Sequence, residues 1–338
     1  MNDLLIGLLA VALATNTPSA LSNALHQRTG LALAIPDKNN PLEREYLKLL
    51  ADDDAAQSEV DQWIKDAQKA GETGDPVGAA TLRARVRQRL EPVKKAYEDF
   101  LRLHSNHTRA RLAYGSFLND IGEEAAAEAQ WLKARELDPK NPAAWNNLAN
   151  FYGHNGGVMK SFEYYQKAIE LAPTEPVYHH NFADTVFLFR KDAGEYFKLT
   201  EAQVFDKALG LYRRALELDP ENFLLAANLA ESYYAIRPPK TGDAGADRQA
   251  AQKHADDAVA AWQAAMKLAR DDIERQGVLI HFARFQINAG RFDEARANLN
   301  AVTNSMFDST KRNLNKKLQS EESKAKSTTA LPIKIEGK

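Results

Sequence analysis

Residues 142–175 read PAAWNNLANFYGHNGGVMKSFEYYQKAIELAPTE, and the 34 residues just before them, 108–141, overlay on them without a gap. Each stretch closes on a Leu-x-Pro turn: Leu137-Asp138-Pro139 in the first, Leu171-Ala172-Pro173 in the second. A third copy over 176–222 closes on Leu218-Asp219-Pro220, and further copies begin at Phe223 and near Gln276. Self-similarity at a fixed period of this length marks a repeat architecture, so the period outranks local propensity in deciding the fold.

Numbered from one within each repeat, position 7 is large and apolar: Tyr114, Leu148, Phe182, Leu229 and Phe282. Position 8 is small: Gly115, Ala149, Ala183, Ala230 and Ala283. Position 20 is small again (Ala127, Ser161, Ala208, Ala258, Ala295), and position 24 is large (Trp131, Tyr165, Tyr212, Trp262, Leu299). Position 27 is Ala134, Ala168, Ala215 and Ala265, then Val302. Spacings of three and four put such residues on one helix face. Two helices then approach closely at the small residues, and large side chains fill the space opposite them. One hairpin cannot bury its apolar face alone, so the units stack. The proline of each Leu-x-Pro turn ends one helix and sets the entry to the next.

The pattern W-x-x-L-A-x-x-Y at 145–152, with Ser161, Y-x-x-A at 165–168 and Pro173, resembles the tetratricopeptide repeat over about residues 108–305. The resemblance implies an all-α fold class: a right-handed superhelical solenoid of helix-turn-helix hairpins with helical caps. The expected divisions are an apolar N-terminal segment over 1–24, a helical cap over 25–73 and a degenerate hairpin over 74–107, its helix opening at Pro92. Five repeats follow, at 108–141, 142–175, 176–222, 223–275 and 276–309, then a short helix and a polar basic tail over 310–338. The third and fourth repeats exceed the 34-residue norm by 13 and 19 residues, with insertions at about 188–200 and 236–252 between the two helices. In the first insertion, Thr200 with Gln203 three residues on reads as a helix cap. The fifth repeat has Gln286 at a position that is usually apolar. Leu314 and Leu318 sit on the short closing helix, and the chain from Gln319 onward reads as a solvated tail.

Composition narrows the function. A net charge of -2 gives no field for nucleic acid, and the absence of cysteine removes disulfides, thiolate metal sites and cysteine nucleophiles. Leu4–Ala14 is an unbroken apolar run, too short to span a bilayer as a helix. It fits the core of a signal peptide, which implies export to the periplasm or envelope. It equally fits an apolar cap or a membrane contact in a cytoplasmic protein, since no Lys or Arg precedes it.

The resemblance also implies that the first helix of each hairpin lines a groove at positions 2, 5, 6, 9, 12 and 13. The groove residues are then Asn146, Asn147, Asn150 and His154, next His180, Asn181 and Asp184, next Asn228, Glu231 and Tyr234, and finally His281 and Arg284. Position 6 is asparagine three times running: Asn147, Asn181 and Asn228. A carboxamide carries a donor and an acceptor and can pair with both groups of a backbone amide. Such a row is similar to the asparagine ladder in the superhelix of O-linked N-acetylglucosamine transferase. It can hold an extended peptide without reading its side chains. The Lys and Arg clamp used by family members that bind acidic chaperone tails is absent. The histidines show no tight metal-ligand spacing, and no cofactor motif or nucleophile elbow appears. The expected function is therefore a non-catalytic scaffold that binds a peptide or partner protein in its groove. A structural assembly scaffold of the cell envelope is the alternative. A hydrolase using groove histidines is the third reading, and no residue set supplies it with matched roles.

Overall fold

The computed structural model describes residues 40–70, 75–238 and 241–329. The apolar run Leu4–Ala14 and the last residues of the basic tail lie outside them. The described residues form fourteen α-helices and one short 3-10 turn, with no strand among them. They fall into two compact units, residues 40–198 and 199–329.

The N-terminal unit contains α1 (Pro41–Lys69), α2 (Pro76–Leu103), α3 (Thr108–Asp120), α4 (Glu124–Leu137), α5 (Pro142–His154), α6 (Val158–Leu171), α7 (Pro176–Leu188) and α8 (Arg190–Phe197). Caps fix where the helices start. Asn141 Oδ1 accepts from Ala143 N at 3.1 Å and Glu175 Oε1 from Val177 N at 3.3 Å, each with a proline in the first turn. Gly122 and Gly156, at φ 80° and 83°, turn the chain between the two helices of their hairpins, a conformation that favours glycine. The pairs α1/α2, α3/α4 and α5/α6 are hairpins, and α1, α3, α5 and α7 lie side by side as one layer of first helices. The small positions let the layers meet: Ser161 donates its hydroxyl to Ala149 O at 2.7 Å, and Trp131 Nε1 donates to Leu112 O at 3.2 Å.

Two expectations change here. Residues 76–103 form one unbroken helix rather than a hairpin opening at Pro92, which sits inside α2. Pro92 and Gln88, one turn earlier, are both exposed, so water can satisfy the carbonyl that the proline leaves unbonded. The hairpin at this end is therefore α1 with α2, and α1 serves as one more first helix. In the first insertion, α8 packs Phe197 and Tyr196 on Phe162, with ring centroids 5.5 and 5.4 Å apart.

The C-terminal unit contains α9 (Glu201–Leu218), α10 (Phe223–Ser232), α11 (Ala244–Leu268), α12 (Asp272–Asn288), α13 (Phe292–Ala301), the 3-10 turn Ser305–Phe307 and α14 (Asp308–Thr329). Thr200 and Gln203 form the capping box that starts α9. Most of the second insertion becomes extra turns at the start of α11, capped by Asp243 Oδ1 on Ala246 N at 2.7 Å. The fifth repeat's first helix starts at Asp272, a turn before Gln276. The apolar shortfall at Gln286 is met by hydrogen bonding: it donates to Glu294 at 3.2 Å and accepts from Asn298 at 2.8 Å. Leu314 and Leu318 are buried with Ile280, Ile287 and Leu299, so α14 closes this core. It continues well past Gln319 because Arg296–Glu322, Lys324–Glu321 and Lys326–Glu322 pairs, at 2.8 to 3.1 Å, bridge along and across it.

Candidate binding face

In the N-terminal unit, α5 and α7 bring the asparagines together. Asn181 Nδ2 donates to Asn146 Oδ1 at 3.1 Å, and Asn146 Nδ2 donates to Asn147 Oδ1 at 3.3 Å. This links the first helices of adjacent repeats through side chains alone. Asn146 is fully buried, so its carboxamide is the internal link of the row, not a surface group. Asn147 is 3% exposed, and its Nδ2 is a buried donor with no acceptor. Tyr165 of α6 donates its hydroxyl to Asn150 Oδ1, and Thr185 donates to Asn181 O at 2.9 Å while its hydroxyl also meets the Tyr165 hydroxyl at 3.2 Å. Burial pushes the Tyr165 hydroxyl well above the usual phenol range, so it stays protonated. His180 Nε2 lies 3.6 Å from Asp184 Oδ2, and that aspartate side chain is half exposed. His154 is exposed on the same helix as the row. Tyr165 was not legible as a member of this network because its repeat position reads as core, and the position of Thr185 carries no reading at all in the repeat pattern.

In the C-terminal unit, Glu231 of α10 and Tyr234 of the turn after it meet His281 and Arg284 of α12; Asn228 sits half-buried on α10. The Tyr234 hydroxyl and His281 Nδ1 are 2.8 Å apart. The imidazole lies flat on Trp262, with centroids 3.8 Å apart at 11°. Burial, with a lesser contribution from Arg284, pushes His281 down to about 3, so the ring is neutral at ordinary pH. Burial raises the Glu231 carboxyl, and Arg284 opposes the shift. Among the described residues, no three His, Asp or Glu side chains are arranged to hold a metal ion. No helix of the described residues is long and apolar enough to cross a membrane.

A family model described as "Tetratricopeptide repeat" matches residues 131–163, the second helix of one repeat through the start of the next second helix. Two relatives are named Photosystem I assembly protein Ycf3. The one from Cyanophora paradoxa is 29% identical over 131 residues, 37% of this chain and 76% of that protein. The one from Rippkaea orientalis is 30% identical over 111 residues, 32% of this chain and 64% of that protein. Among solved structures, yeast Tom70 aligns with 91% of this chain and 70% of its own at 15% identity, with a TM-score of 0.47.

Proposed function

We infer, from a chain that belongs to the tetratricopeptide-repeat family, a non-catalytic scaffold that holds a polypeptide along its layer of first helices. The observation that carries this reading is the linked carboxamide row Asn147–Asn146–Asn181 with one donor, Asn147 Nδ2, left without an acceptor. A buried amide N–H without a partner costs about 1–3 kcal/mol, and a peptide carbonyl is the group that relieves it. The exposed Asp184 with His180, and Glu231 with Arg284, would tune which side chains are accepted. Asn228 would play in the C-terminal unit the part that Asn181 plays in the N-terminal one. An assembly role, as the names of the two relatives state for those proteins, fits a scaffold that holds one subunit while others are added.

The test is selection of binders from a random peptide display library against the full chain, followed by affinity measurement with Asn181→Ala and Asn147→Ala variants. Each variant is expected to weaken binding about tenfold, the worth of one hydrogen bond whose loss leaves a buried partner unmet. Selected peptides that bind both variants as tightly as the parent chain overturn the reading.

A further inference from the structure

The second repeat pairs two side chains that the other repeats do not. Asn at position 9 and Tyr at position 24 occur together only there, as Asn150 and Tyr165. In the first repeat the same positions hold Ser116, whose hydroxyl turns back to Leu112 O at 3.2 Å, and Trp131. In the fourth they hold Glu231 and Trp262, and in the fifth Arg284 and Leu299.

Asn150 lies one turn beyond Asn146 on α5, and Thr185 lies one turn beyond Asn181 on α7. The two first helices are therefore joined twice, one turn apart. The first link is direct, from Asn181 Nδ2 to Asn146 Oδ1 at 3.1 Å. The second runs through the Tyr165 hydroxyl of α6, which donates to Asn150 Oδ1 and meets the Thr185 hydroxyl at 3.2 Å. A phenol has one hydrogen to give. Tyr165 is 1% exposed and burial keeps its hydroxyl protonated, so that hydrogen is committed to Asn150. A carboxamide whose oxygen is fixed has its nitrogen fixed as well, because the two stand on opposite sides of one planar carbon. Asn150 Nδ2 and Asn181 Oδ1 have no hydrogen-bond partner among the described residues, and both side chains are half-buried, not enclosed. One is a donor and the other an acceptor, on adjacent first helices, the complement of the C=O and N–H along an extended chain.

We propose that Tyr165 is a positioning residue: by holding Asn150 Oδ1 it sets Asn150 Nδ2 as the donor for a backbone carbonyl of the bound polypeptide. This rests on the reading of the first-helix layer as a polypeptide-binding face. It gives that face a hydrogen-bond polarity set from the second helix, by a side chain that never touches the polypeptide.

Peptides selected by display against the full chain test it. Tyr165→Phe keeps the ring, and with it the stack on Phe182 at 5.4 Å, and removes only the hydroxyl. It should weaken peptide binding about fivefold, and add almost nothing in the Asn150→Ala background. Asn150→Asp keeps an acceptor for Tyr165 and removes the donor, so it should weaken binding about tenfold although the link to α6 survives. Replacing the contacted peptide amide by an ester, which weakens its carbonyl as an acceptor, should cost the parent about fivefold and the Asn150→Ala variant almost nothing. Urea unfolding confirms that each variant is folded under the binding conditions. Unchanged affinity in Tyr165→Phe or Asn150→Asp, or additive losses in the Tyr165→Phe/Asn150→Ala double variant, overturns the proposal. If the peptides then still depend on Asn147 and Asn181, the carboxamide reading survives alone. If they depend on Tyr165 and Asn150 but ignore Asn147 and Asn181, the positioned donor survives alone. Failure to select any binder overturns both.

Discussion

Trp131 and Trp262 occupy the same repeat position in the two units, and their surroundings differ. Trp131 sits against Gly115 and donates its indole N–H to Leu112 O at 3.2 Å. A Cβ added to Gly115 would lie 2.4 Å from that nitrogen, so only glycine lets the ring in. Trp262 has Ala230 at the matching small position. Its ring instead lies flat on His281 of the next repeat, and its buried Nε1 has no acceptor. The difference shows that a repeat's "small" position is not one state. Beside glycine the indole N–H reaches a carbonyl of its own hairpin while the ring meets Phe151 of the next repeat at 6.2 Å; beside the alanine position the ring stacks on His281 and its N–H has no acceptor.

One strongly shifted group in each unit, His281 and Asp53, moves in the opposite direction to the other. His281 has a folded value of about 3, below its usual value, so the folded C-terminal unit binds fewer protons than the unfolded chain between about pH 6.5 and 3. Its stability is complete above 6.5 and falls as pH drops through that window. From pH 7.5 to 4 the loss is expected to be about 3 kcal/mol, at 1.36 kcal/mol per unit. Hydrogen exchange of α10–α12 amides at the two pH values reads it. A His281→Phe variant, which keeps the stack on Trp262, should lose much of that pH dependence; an unchanged profile breaks the comparison.

Gly115→Ala sharpens it from the other side. The methyl forces the Trp131 ring out and removes its hydrogen bond, for an expected loss of about 2–3 kcal/mol from overpacking. The reverse change, Ala230→Gly, is expected to cost about 1 kcal/mol, the helix penalty of glycine. Urea unfolding of both variants checks the asymmetry; equal losses contradict it.

Asp53 of the N-terminal unit, its carboxyl lifted by burial, should contribute with the opposite sign. Asp53 is lifted to about 6, so the folded unit binds more protons than the unfolded chain between its ordinary value, near 4, and 6. Stability is complete at the acid end of that window and falls as pH rises through it. Asp53 is partly exposed, so the effect is discounted to about 2 kcal/mol. Asp53→Asn is therefore expected to protect α1 and α2 from hydrogen exchange at pH 8 and to make no difference at pH 4. A variant that weakens α1 at pH 8 contradicts the sign.

The stacking could be read from residues 108–175 because small and large positions there repeat without interruption, and the structure follows them turn for turn. The α1/α2 hairpin was not legible. It lacks the period, and Pro92 reads as a helix start unless Gln88 is known to be exposed. The persistence of α14 was hidden for a related reason, since Glu322 pairs with Arg296 from α13, a contact no local pattern announces. At the candidate site, the asparagines were visible as a row. That Asn146 is the buried link while Asn147 keeps the free donor depends on a relation between α5 and α7 that spacing does not encode. The Tyr97–Asp53 contact was invisible, since it joins α2 to α1 over a long sequence separation.

The smallest expected effect isolates the indole N–H itself. Trp131→Phe and Trp262→Phe each remove the same atoms from a buried position 24, so the cavity costs largely cancel between them. What remains is that Trp131 loses a hydrogen bond and Trp262 loses a donor that had no acceptor. The first should therefore cost about 1 kcal/mol more than the second. Leu112 O is not left bare, because Ser116 Oγ also donates to it at 3.2 Å, which keeps the difference near that value. Chemical unfolding of the pair measures it. If Trp262→Phe proves the costlier change, its N–H has a partner after all, and the stack on His281 is not what holds the ring in place.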